Sequence, residues 1–340
     1  MGQRVILHVG AMKSGTSYLQ ALLYANEAVL AERGVLVPGQ TWSDQVRAAQ
    51  DVLGLASART GDISGSWDRL VQEVAAYDGT AVVSMEFLGT APPAVIERIV
   101  GQWDDLTVVI SARDINRGLA SMWQETVQNG RTWTFADYVS GARDSRPRPE
   151  RRAEDVTTAG KTFWRQQNVV RMSRNWSAAG ARVVLLTVPP PGAPRDVLRD
   201  RFLSVVGVTA EGFVTAPEAN ESIGAASAMV LRRVNELLEQ AGLPSPAGQH
   251  LRKTVLAKAV MAARRSSEPA IGLPVAPWVE THAATMVTRL QDLGVELVGE
   301  WGDLTPVEVP GVDPAAIDGA DIAEAASAAL AGLLAEQIRR

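Results

Sequence analysis

Arg4-Val5-Ile6-Leu7-His8-Val9, then Gly10-Ala11-Met12-Lys13-Ser14-Gly15-Thr16-Ser17, then Tyr18-Leu19, is the stretch that decides how this chain folds. Its first six residues are short and mostly apolar, the pattern of a buried strand. A glycine-bearing turn follows. From about Ser14 to Glu32, the residues Leu19, Leu22, Leu23, Val29 and Leu30 recur at helical spacing. A strand that passes through a glycine turn into a helix makes an anion site. Backbone N–H groups at the helix start point at the ligand, and the helix dipole favours negative charge there. Gly10 and Gly15 let the backbone approach an anion closely. Lys13, Ser14, Thr16 and Ser17 add side-chain donors.

Working outward, further short apolar runs read as strands at Val35–Val37, Ala81–Met85, Leu106–Ser111 and Val183–Val188. Helical patterns separate them, near residues 44–55, 67–76, 93–101, 115–128 and 161–179. Strands alternating with helices imply an α/β fold with a parallel sheet between helical layers. Residues beyond about Glu221 look mainly helical. The chain is therefore expected to be one domain over residues 1–340, with an α/β core over 1–215 and a mainly helical part over 216–340. Gly141 to Thr158, with Arg146-Pro147-Arg148-Pro149-Glu150-Arg151-Arg152, reads as an irregular loop, either a solvated charged segment or a lid. In the last stretch, Ile322, Leu330, Leu333, Leu334 and Ile338 fall on or near one helical face, expected to dock on the body of the protein. A homodimer contact is the alternative.

Composition narrows the chemistry. With no cysteine, disulfides, thiolate zinc sites and cysteine nucleophiles are excluded. The three histidines, His8, His250 and His282, are far apart in sequence, so no metal is expected. A net charge of −5 argues against a general nucleic-acid binder. No apolar run is long enough for a membrane span, and no signal-peptide pattern opens the chain, so a cytoplasmic location is the default expectation. The Ala, Arg, Val and Gly richness suits a GC-rich bacterial genome.

The loop is not a Walker A motif, which requires G-x-x-x-x-G-K-[ST]. Gly10 and Gly15 have that spacing, but Thr16 and Ser17 follow, and the lysine is displaced to position 13. Later, the strand Leu106–Ser111 runs into Ala112-Arg113-Asp114-Ile115, with Ser121 eight residues after Arg113. Arg113 stands at the strand's carboxyl end, where open α/β sheets bind ligands, and its planar fork suits phosphate. Attack by a hydroxyl needs a proton acceptor. Glu86, ending Val82-Val83-Ser84-Met85, is the first candidate base and also fits a strand cap or ion pair. His8 is the second, and also fits a hydrogen-bonded core residue. Ser84 shares a strand side with Glu86.

The segment His8 to Leu19 resembles the 5′-phosphosulfate loop of the sulfotransferase family, whose core is Pro-Lys-[Ser/Thr]-Gly-Thr-[Thr/Ser]. Met12 stands where proline is usual. The Arg113-x7-Ser121 spacing resembles that family's 3′-phosphate site. This likeness implies a P-loop NTPase-like sulfotransferase fold and a bacterial member of the family. The implied donor is 3′-phosphoadenosine 5′-phosphosulfate, the nucleotide product adenosine 3′,5′-bisphosphate, and the acceptor a small-molecule hydroxyl, with no metal. It carries donor-binding roles onto Met12, Lys13, Ser14, Gly15, Thr16, Ser17, Tyr18, Arg113 and Ser121, with Tyr18 an adenine-stacking aromatic or a core residue. Lys13 becomes the group that stabilises the departing phosphate, and Glu86 or His8 the base. The likeness covers roughly residues 4–125. Beyond that, Val183–Val188 looks like the family's last strand, and Trp301-Gly302-Asp303-Leu304-Thr305-Pro306 and Asn220-Glu221-Ser222 resemble bacterial members. A small-molecule P-loop kinase and a non-catalytic nucleotide-binding protein are the rival readings.

Overall fold

The computed structural model describes residues 3–55, 61–148, 156–194, 196–215, 222–243 and 248–339. Its strands are β1 Arg4–Gly10, β2 Val35–Leu36, β3 Thr80–Ser84, β4 Leu106–Ala112, β5 Arg182–Thr187 and β6 Glu296–Val298. Its helices are α1 Thr16–Ala25, α2 Glu27–Glu32, α3 Trp42–Val52, α4 Ser66–Ala75, α5 Pro93–Val100, α6 Ile115–Gln128, α7 Phe135–Asp144, α8 Thr158–Gln167, α9 Val169–Ala178, α10 Asp196–Val206, α11 Ala225–Gln240, α12 Pro277–Asp292 and α13 Gly319–Arg339. The chain divides into two compact units. The first comprises Met1–Asp114, Arg165–Ala219 and His282–Thr305; the second comprises Ile115–Trp164, Asn220–Thr281 and Pro306–Arg340.

The first unit holds all six strands in one parallel sheet, in the order β2-β3-β1-β4-β5-β6. Strand side chains alternate between faces. Val5, Leu7 and Val9 of β1 join Val83, Val108, Ile110 and Leu185 in a core closed by α3, α4, α5, α9 and the end of α12. Ile6, Val82, Val109 and Val184 point the other way, against Leu19, Leu22 and Leu23 of α1, Leu30 of α2, and Phe202 and Leu203 of α10. Sheet and helices thus form the three layers expected of an α/β chain. On the α1/α10 face, three of these four rows turn polar at their carboxyl ends: Ile6 leads to His8, Val82 to Ser84, and Val109 to Ser111, while Val184 leads to Leu186. All three polar side chains are buried.

The second unit is mainly helical. A π-helical segment, His250–Met261, contacts α6, α11 and α13. Buried Trp123, Tyr138 and Phe163 supply much of its apolar bulk. Two bridges, Ile271 with Val312 and Leu273 with Val309, tie its extended segments.

Several expectations are corrected. The helix over 14–32 is two helices, because Asn26 turns its amide onto Leu22 O (2.8 Å) and pairs with Val214 through both its groups (2.7 and 3.1 Å). The helix over 161–179 breaks at Asn168, whose side chain caps α9 by accepting from Arg171 N. The strand β5 is not the last: β6 follows at Glu296–Val298, too short and too polar to read as an apolar run. Its setting is fixed by Asp303, which accepts from Thr187 Oγ1 (2.5 Å) at the end of β5 and from Arg201 Nη1 (2.7 Å) of α10.

The expected loop from Gly141 begins later, since α7 runs to Asp144. Gly141 and Gly160 are there for close approach: a Cβ on Gly141 would meet Thr157 Oγ1 at 2.7 Å, and one on Gly160 would meet Gly141 O at 2.3 Å. Of the arginine-bearing stretch, residues 149–155 lie outside the described residues, as do Asn220 and Glu221.

Of the α13 face expected to dock, Ile322 and Leu333 are half-buried, but Leu330, Leu334 and Ile338 are 60%, 55% and 84% exposed, and the fully buried residues of the helix are Ala325 and Ala329. No helix among the described residues is long and apolar enough to cross a membrane.

Candidate functional site

The ends of β3, β1 and β4 are neighbours in the sheet, so Glu86, the Gly10–Ser17 loop and Arg113 all leave the same edge of the first unit. The loop has three left-handed positions: Gly10 (φ 96°), Lys13 (φ 61°) and Gly15 (φ 84°). Lys13 is the one non-glycine with positive φ among the described residues, a conformation that costs an L-residue about 1–2 kcal/mol. That strain is held by anchors on every side. Ala11 N donates to Ser111 O (2.6 Å). Gln167 Nε2 donates to Met12 O (2.7 Å). The Ser14 hydroxyl donates back to Ala11 O, bracketing the turn that contains Lys13. Gly15 packs so tightly on Leu198 of α10 that a Cβ would lie 2.5 Å from its Cδ2.

Glu86 stands directly against this loop. A Cβ on Gly10 would lie 2.9 Å from Glu86 Cβ and 3.2 Å from its Cα. Gly10 is therefore needed for the approach of Glu86 as well as for its own φ. The half-buried carboxylate is oriented by Gln20 of α1, whose Nε2 donates to Glu86 Oε2 (2.8 Å) and to Ser84 O (3.0 Å). Gln20 Oε1 accepts from the Trp42 indole (3.1 Å). An indole only donates, whereas a carbonyl and a carboxylate only accept, so the amide has one workable orientation. Gln45 adds a second brace, accepting from Ser84 N (2.9 Å) and donating to Pro38 O (2.9 Å).

His8 has another setting. It is fully buried, with Nδ1 2.8 Å from Ser84 Oγ and Nε2 3.1 Å from Ser111 Oγ. Burial pushes its pKa from 6.5 down to about 3, so the ring is neutral near pH 7. A ring closed off from solvent, with both nitrogens engaged, does not reach an acceptor hydroxyl, and His8 is removed as a base. The Ser84 side chain likewise faces His8.

The remaining sequence candidates separate. Met12, Lys13, Ser17 and Tyr18 are half-buried along the loop and first turn of α1, and Thr16 is buried. Tyr18 packs on the α1/α10 core. Ser14 is 1% exposed, its hydroxyl turned inward onto Ala11 O and Ser111 Oγ. Arg113 is half-buried after β4 in the first unit. Ser121 belongs to the second unit, where its hydroxyl donates to Arg117 O (2.9 Å) one turn back in α6. A cavity of about 450 Å³ also lies wholly within the second unit, lined in part by Phe135, Arg143, Trp278 and Glu308.

Sequence reasoning missed Gln20, Gln45, Ser111 and Gln167. Gln20 and Gln45 carried a signal, each being an amide on the apolar side of its helix beside Leu19 and Leu23, or Ala48 and Ala49. Gln167 carried none, because only tertiary structure brings it to Met12.

No family model matches this sequence, and no curated protein matches it. Among solved structures, a sulfotransferase from Alicyclobacillus acidocaldarius is similar, at 14% identity with a TM-score of 0.42, over 75% of this chain and 96% of that one. A likeness that remote carries no argument about activity, which rests on the side chains themselves.

Proposed function

We propose that this chain is a sulfotransferase that moves a sulfuryl group from 3′-phosphoadenosine 5′-phosphosulfate to a hydroxyl of a carbohydrate, lipid or natural-product acceptor. One observation carries the reading: a carboxylate, Glu86, is braced against a glycine loop whose lysine precedes its second glycine. The loop amides, with Lys13, Thr16 and Ser17, suit a 5′-phosphosulfate, and Arg113 is the proposed 3′-phosphate ligand. Tyr18 is the proposed adenine neighbour.

In the proposed step, the acceptor oxygen bonds to sulfur as the bond from sulfur to the bridging phosphate oxygen breaks. Adenosine 3′,5′-bisphosphate leaves with the negative charge, which Lys13 and the loop amides stabilise. Gln20 takes Oε2 of Glu86, so Oε1 is the oxygen that receives the hydroxyl proton. Fixed positioning supplies much of the rate.

A P-loop kinase would need its lysine where Thr16 stands. Calorimetry separates the two: adenosine 3′,5′-bisphosphate should bind without a metal and more tightly than ATP. Tighter ATP binding that requires magnesium would sink the sulfotransferase reading. Glu86→Gln should lower sulfuryl transfer by about 10²–10⁴-fold, with bisphosphate affinity kept within about threefold. Undiminished transfer would remove Glu86 as the base. Lost bisphosphate binding without lost transfer capacity would assign Glu86 to the donor pocket, and loss of neither would favour a different base altogether.

A further inference from the structure

The buried groups His8, Ser84, Ser111 and Ser14 form one continuous chain from the middle of the sheet to the loop, and elementary valence fixes its direction. Each hydroxyl has a single proton. Ser14 spends its own on Ala11 O, a carbonyl that can only accept. In the 2.7 Å contact between Ser14 Oγ and Ser111 Oγ, Ser111 must therefore be the donor. Ser111, its proton committed, can only accept from His8 Nε2 at 3.1 Å. Nε2 therefore carries hydrogen. In a neutral ring Nδ1 is then bare and accepts from Ser84 Oγ at 2.8 Å.

The opposite tautomer would reverse the chain. Ser111 would donate to Nε2, Ser14 would donate to Ser111, and Ala11 O would lose the Ser14 proton. The bracket across Ala11–Ser14, which encloses the left-handed Lys13, is thus compatible with one neutral tautomer of a histidine two residues before the loop.

We infer that His8 is a positioning residue: as its Nε2–H tautomer, acting through Ser111, it holds the Ser14 bracket and so presets the loop for its anion. The inference rests on the loop holding the donor only for its binding readout. Ser84, from β3, sets the ring's orientation from one side, and Ser111, from β4, transmits it from the other. The same sheet neighbours that bring Glu86 and Arg113 to one edge thereby tie the loop to both.

Two substitutions of similar size separate this role from mere core filling. Glutamine places its amide N–H where Nε2 lies and can still donate to Ser111; asparagine ends at the Nδ1 position and cannot. Each leaves one buried hydroxyl contact unmade, so similar stability losses are expected from both. His8→Gln should keep affinity for adenosine 3′,5′-bisphosphate within about threefold, and His8→Asn should lose roughly tenfold, the scale of one hydrogen bond. Equal affinities in the two variants would overturn the inference.

The wild-type chain gives a test that needs no variant. Nitrogen-15 NMR of the His8 ring should find hydrogen on Nε2 and none on Nδ1, and the reverse would overturn the relay. If the wild type binds no bisphosphate, the donor assignment falls while the relay is still judged, by amide exchange at Lys13 and Ser14. That exchange should be about tenfold faster in His8→Asn than in His8→Gln; no difference would overturn the relay.

Discussion

At the scale of single residues, this site is governed by what burial does to polar groups. His8 has a folded pKa of about 3 against an ordinary 6.5, through burial. Above pH 6.5 neither the folded nor the unfolded ring binds a proton, and stability is at its full value. As pH falls below 6.5 the unfolded chain takes up a proton that the folded chain refuses, so stability declines until the folded ring also titrates near pH 3. Linkage makes the whole loss roughly 4–5 kcal/mol, with about 2–3 of it between pH 6.5 and 4.5. Urea unfolding at those two pH values should therefore give a larger drop for the wild type than for His8→Gln, which carries no such proton. Equal drops would mean that the ring is hydrated in the folded state. Glu86 was legible from the sequence because a charged residue closing an apolar strand stands out. The amides that orient it were not, since Gln20 and Gln45 belong to helices whose buried sides are defined only once the sheet lies against them.

At the scale of elements, the glycines decide which surfaces meet. The strand, turn and helix of β1, loop and α1 were readable because their signal is local. The docking of α13 was not, because leucines on a helix are read as core by default. In this helix the small residues do the packing. Ala325 and Ala329 are buried, and a Cβ on Gly332 would lie 2.2 Å from Val260 Cγ2, so the π-helical segment comes in against backbone. Leu330 and Leu334 look outward. Gly332→Ala should therefore destabilise the protein by about 1–3 kcal/mol through overpacking, despite alanine's better helix propensity. Leu330→Ser should change stability by no more than roughly 0.5 kcal/mol. Thermal unfolding of the two variants checks the contrast, and a larger loss from Leu330→Ser would return the leucine face to the core.

At the scale of the whole molecule, neither unit is a continuous stretch of chain. The sheet unit takes its last strand from residues 282–305, far beyond the α/β pattern read at the start of the sequence. That late segment brings Met286 and Leu290 into the core and supplies Asp303, 7% exposed, to Thr187 and Arg201. The signal for this was slight, a three-residue strand beginning with glutamate, because a short edge strand needs only one neighbour and little apolar surface. Its removal is still expensive. Asp303 takes with it the charge-assisted hydrogen bond to Arg201, 17% exposed, and the bond from Thr187, a loss of about 1.5–3 kcal/mol for a bond to a charged group. Lost burial of Met286 and Leu290 adds roughly 2–5 kcal/mol for each large side chain removed. Together these approach the whole of a typical folding free energy of about 5–15 kcal/mol. A fragment ending at residue 281 should therefore fail to hold the sheet unit even though it retains β1 to β5, the loop and Glu86. Near-ultraviolet circular dichroism is the measurement, since the buried Trp67 and Trp176 both lie within the retained part of that core. A fragment that kept the native tryptophan bands, or bound adenosine 3′,5′-bisphosphate as the full chain should, would mean that β6 and the Asp303 contacts are ornaments on a core that stands without them.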